Sequence, residues 1–151
     1  MRRSVTFELS EEVEYTRDGN PETSSTVTLK APMAKNRQKD LFLKQQFLLA
    51  LPKKKDQPPK TEQKAVEDEK IDDEDVMIMI GSCPDVDLAS FFDCAKNVLC
   101  HGVAYVGEGD ALEPMSSVIF DRLDFDDCQN MVGRYMTSFT IRSVLDSQKK
   151  S

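Results

Sequence analysis

Apolar and polar positions alternate from Arg3 to Ser10, with Val5, Phe7 and Leu9 on one side and Ser4, Thr6 and Glu8 on the other. This period of two predicts a half-buried strand. Thr26 to Ala31 repeats it, Val27, Leu29 and Ala31 opposing Thr26, Thr28 and Lys30. Between the two runs lies Asp18-Gly19-Asn20-Pro21, a turn signal, because Asp-Gly tolerates positive φ and proline cannot extend a ladder. A long β-hairpin is expected. Since an isolated hairpin is marginal in water, it must pack on something or join another sheet.

After Ala31-Pro32 the period changes. Asn36 is a candidate helix cap, and Arg37 to Leu51 reads as a helix carrying Leu41, Phe42, Leu43, Phe47, Leu48, Leu49 and Leu51. This apolar content is broader than one stripe, which implies contacts on two sides. Pro52 ends it. The clearest helix runs from Asp85 to Gly102, where Leu88, Phe91, Phe92, Ala95, Val98 and Leu99 follow i, i+3, i+4, i+7 spacing. Asp85 or Asp87 can cap its start, and His101-Gly102 suits its end. Val76 to Ile80 is a short apolar run, a strand or a first helical turn, broken by Gly81-Ser82-Cys83-Pro84. Val103 to Pro114 reads as a loop with Gly107, Gly109 and Asp110. The chain is helical again from Ser116 to Leu123 and from Asp124 to Val144, where Cys128, Val132, Tyr135, Met136 and Phe139 share a helical face.

Composition adds a boundary to this pattern. Pro52 to Asp75 holds three prolines, six lysines, nine acids and only Ala65, Val66 and Ile71 as apolar residues. Such a run buries too little surface to offset its ordering entropy, so a charged, disordered linker is expected. The expected organisation is α+β: hairpin and helix in residues 1–51, linker in 52–75, a helical part in 76–148 and a short tail in 149–151. Residues 1–51 carry 8 basic and 7 acidic groups, 52–75 carry 6 and 9, and 76–151 carry 6 and 11. The net charge of −7 therefore sits mainly in the C-terminal part. That balance argues against a nucleic-acid partner, which needs a basic stripe to displace counterions from phosphate. Even the longest apolar runs, Val76 to Ile80 among them, are far too short to span a membrane, so no membrane partner is expected. Met1-Arg2-Arg3 leads into an alternating segment, not an apolar core, so no secretion signal is expected either.

Candidate chemistry is sparse. Cys83, Cys94, Cys100 and Cys128 lack the close pairing of structural zinc ligands, and adjacent Cys100-His101 would point about 100° apart on a helix. The expectation is four reduced thiols, no metal and no cofactor. The one histidine stands at a helix end, not beside a nucleophile. Around Asp121 to Asp127, Leu123 and Phe125 occupy positions where a calcium loop needs oxygens, so those acids read as helix caps. Gly107-Glu108-Gly109 lacks the third glycine and the lysine of a phosphate cradle. No enzyme is expected.

The order of features nonetheless resembles a known family. A strand pair ends in Thr26-Val27-Thr28-Leu29-Lys30-Ala31-Pro32 and a helix follows directly; after the polar segment comes Leu123-Asp124-Phe125-Asp126-Asp127, then a helix ending Tyr135-Met136-Thr137-Ser138-Phe139. This resembles the small tail assembly chaperones of long-tailed bacteriophages, with their Leu-x-x-Pro strand end and closing helix. The resemblance implies a protein of the host cell cytoplasm, absent from the mature virion. Such a protein coats the tape-measure protein and helps recruit tail-tube protein. It also implies a frameshifted longer product, for which Lys149-Lys150 would supply an A-rich slippery run.

On this reading the partner-binding residues are Leu41, Phe42, Phe47, Leu48 and Leu51 on the first helix, with Phe91 and Phe92 on the central one. They would meet amphipathic partner helices as a helix meets a groove. An unpaired hairpin edge and the broad apolar helix also make self-association an expectation. Two other classes fit the composition: an acidic inhibitor mimicking nucleic acid, and a minor structural virion protein.

Overall fold

The computed structural model describes residues 3–51 and 73–141. The fold is α+β, an antiparallel four-stranded sheet packed with helices. Strands β1 (Ser4–Arg17) and β2 (Asn20–Lys30) form the expected hairpin. Asp18 and Gly19, both at positive φ, make its two-residue turn, the geometry whose twist matches that of the flanking strands. Asn20 and Pro21 belong to β2, contrary to the expectation that proline would lie outside the ladder. Pro21 faces Thr16 one pair beyond Arg17 and Asn20, a non-hydrogen-bonded pair in which its missing N–H costs nothing.

The ladder breaks once. Glu8 pairs with Thr26 and Val13 with Ser24, so Leu9 to Glu12 bulge opposite Ser25. Ser10 loses its place in the ladder there. The buried Asp127 carboxylate takes its N–H, with both oxygens at 3.0 Å, and its hydroxyl at 2.9 Å. An amide left without that acceptor would cost about 1–3 kcal/mol.

Two further strands, β3 (Ala104–Val106) and β4 (Glu113–Pro114), complete the order β1-β2-β3-β4. They correct the expectation of a plain loop from Val103 to Pro114 and add two short strands to the helical C-terminal part. β3 pairs Val27 with Val106 and Leu29 with Ala104, and Lys30 N–H to Val103 O and Gly107 N–H to Thr26 O extend that seam. The hairpin thus gains the third strand it needs for independent stability.

The first helix, α1 (Arg37–Ala50), follows a single 3₁₀ turn at Ala34–Asn36. Asn36 occupies the cap position, but its buried amide donates to His101 O at 3.2 Å and makes no cap bond, so that expectation is corrected. The run from Val76 to Ile80 is helical, inside α2 (Asp73–Ser82). Asp73 to Asp75 belong to this helix; the rest of the expected linker, 52–72, and the tail, 149–151, lie outside the described residues. Helix α3 (Leu88–Leu99) is the clearest sequence signal, trimmed at both ends. Asp87 caps it, accepting from Ser90 N–H at 3.1 Å and Ser90 Oγ at 2.9 Å. Helices α4 (Ser117–Asp121) and α5 (Phe125–Tyr135) are capped by Ser116 and Asp124. A π-turn, Met136–Thr140, closes α5 with a bond from Ile141 N–H to Met136 O.

One core runs through all of this. It joins Phe7, Leu9, Val27 and Leu29 from the hairpin to Leu43 and Phe47 of α1, Val76 and Ile80 of α2, Phe91, Ala95, Val98 and Leu99 of α3, and Met131, Val132 and Tyr135 of α5. Residues on both sides of the 52–72 interval therefore share a single interior.

Candidate binding surfaces

The expected binding residues divide by face. On α1, Leu43 and Phe47 sit one turn apart and are fully buried, whereas Leu41 and Leu48, two turns apart, point outward at 42% and 46% exposure. Leu49 joins them at 50%. The breadth of the apolar pattern is thus two opposed faces. Phe47 is a core residue, which removes it from any accessible surface. Phe42 and Leu51 are half-buried and pack against the core.

Phe91 is likewise corrected. It is fully buried, and half-buried Phe92 meets its ring edge-on, centroids 5.4 Å apart. Helix α3 packs chiefly on α1, so this pair is covered from within the chain. Of the candidates named on α1 and α3, Leu41 and Leu48 are therefore the exposed ones, while Phe42, Leu51 and Phe92 are half-buried and Phe47 and Phe91 buried.

Charge follows the same division. The one acid of α1, Asp40, turns inward, where it accepts from Tyr135 Oη and from Thr140 Oγ1 at 2.7 Å. Burial, and then the adjacent carboxylate, push the Tyr135 hydroxyl far above its usual range. The outward side of α1 keeps the exposed Arg37, one turn before Leu41.

A second surface was not apparent in the sequence. Helices α2 and α5 touch closely at Gly133, where an added Cβ would lie 2.6 Å from Asp73 O. Arg134 locks that contact, its Nε donating to Asp73 Oδ2 at 2.7 Å and its Nη1 to Thr6 O on β1 at 3.2 Å. Beside this junction lies an open groove of about 430 Å³, lined by Glu74, Met77, Ile78, Asp126, Gln129 and Asn130. Ile78 is 56% exposed, and Phe125, one turn before Gln129, is 70% exposed. Acids gather at the starts of α2 and α5 because they favour the positive ends of the helix dipoles. The result is a mainly polar groove, with Met77 and Ile78 as its apolar wall and Glu74 and Asp126 as its acids.

Among the described residues, no group of three or more His, Cys, Asp or Glu side chains is placed to hold a metal ion, and no helix is long and apolar enough to cross a membrane. The four cysteines are unpaired and half-buried. Burial pushes the Cys100 and Cys128 thiols up to about 11, away from the thiolate a nucleophile or metal ligand needs. His101 Nδ1 lies 2.6 Å from Asn97 O, so that nitrogen carries a proton and donates it within the helix end. No family model matches this sequence, and no curated protein or solved structure matches it.

Proposed function

We propose that the protein is a non-catalytic chaperone of the phage tail-assembly kind. It acts in the host cytoplasm, holds helical segments of the tape-measure protein, helps recruit tail-tube subunits, and leaves before the virion matures. The observation that carries this reading is the exposed stripe Leu41, Leu48 and Leu49 on a helix whose opposite face is fixed in the core. A rigidly anchored apolar stripe suits an amphipathic helix, which offers its own i, i+3, i+4, i+7 face. Burying a leucine fully is worth about 1.5–3 kcal/mol, so three half-exposed ones supply a useful gain to a partner that covers them. Anchoring α1 through Leu43 and Phe47 keeps that gain from being spent on ordering the helix.

Two measurements test it. Coexpression with the long helical tape-measure product of the neighbouring genes should yield a soluble complex, whereas a tape-measure protein that stays insoluble or elutes alone would refute the chaperone reading. Fluorescence anisotropy with a synthetic leucine-faced amphipathic peptide should then show binding weakened roughly tenfold or more by Leu41→Glu with Leu48→Glu. Equal binding by that double variant would remove the α1 face from the site.

A further inference from the structure

We draw no further inference here: the strongest candidate, the open groove between α2 and α5, offers only Met77 and Ile78 beside the acids Glu74 and Asp126, and nothing in the structure shows what covers it.

Discussion

Tyr135 shows how one polar atom can organise an apolar interior. Its ring is fully buried, and its hydroxyl reaches across to Asp40 on α1, where Thr140 of the π-turn also donates. Tyr135→Phe keeps the ring and removes the donor, leaving Asp40 with fewer partners in a half-buried place. A hydrogen bond to a charged group is worth about 1.5–3 kcal/mol, and the urea midpoint should fall accordingly at neutral pH. The pH dependence adds a signature that simple loss of packing lacks. Burial and then Asp40 raise the folded-state value of this hydroxyl above its unfolded one near 10. Its contribution is therefore complete below about pH 10 and declines as pH rises further, because the unfolded state then loses the proton more readily. The gap between wild type and Tyr135→Phe should narrow in that range, and a gap independent of pH would show that the hydroxyl does not matter. The helical spacing of Tyr135 with Val132 was legible in the sequence; its pairing with Asp40 was not. A lone acid in a basic helix gives no sign of which way it points until the partner 95 residues away is placed.

At the scale of elements, the α2/α5 junction turns on one missing methyl. Ala is the better helix former by about 1 kcal/mol, so propensity alone predicts that Gly133→Ala stabilises α5. Packing predicts the opposite, since the new Cβ would lie 2.6 Å from the Asp73 carbonyl oxygen, a backbone atom that can move only if α2 shifts. Overpacking of this kind costs about 1–3 kcal/mol, which outweighs the propensity gain. Gly133→Ala should lower the thermal midpoint. Gly81→Ala, in α2 with nothing within 4 Å of its added Cβ, should raise it modestly. If both variants gain stability, the helices are not in close contact at Gly133. Helices with a strong single stripe, such as α3, could be read from spacing because the periodic signal and the burial coincide. β3 could not. Three residues give no measurable alternation, and Ala104 and Val106 are buried because they pair with β2, a partner remote in sequence. Glycines on either side then made the stretch look like loop. For α1 the spacing showed two apolar faces without saying which was inner, so Phe47 and Leu48 looked equally available.

For the whole molecule, the interval 52–72 divides the sequence without dividing the core. Compositional contrast made residues 1–51 and the C-terminal part look like separable pieces, because charge and proline mark a change of material whatever the flanks do in space. The flanks, however, are joined along three seams: β2 hydrogen-bonds to β3, α1 packs on α2 and α3, and α5 holds the edge of β1 through Asp127 and Arg134. That last seam also covers an exposed strand edge that could otherwise recruit another chain. Neither flank has a complete interior alone, since Val27 and Leu29 from one and Val98 and Val106 from the other are all fully buried in the shared cluster. A protease site engineered between residues 52 and 72 tests this directly. After cleavage the two fragments should co-elute in size exclusion and separate only in denaturant, in one cooperative transition monitored by circular dichroism. Each fragment expressed alone should aggregate or remain unfolded, and mixing them from denaturant should restore the native spectrum. Fragments that separate under native conditions, each with a cooperative transition of its own, would show two independent domains and would require the β2–β3 seam to be weak enough to break on cutting the chain.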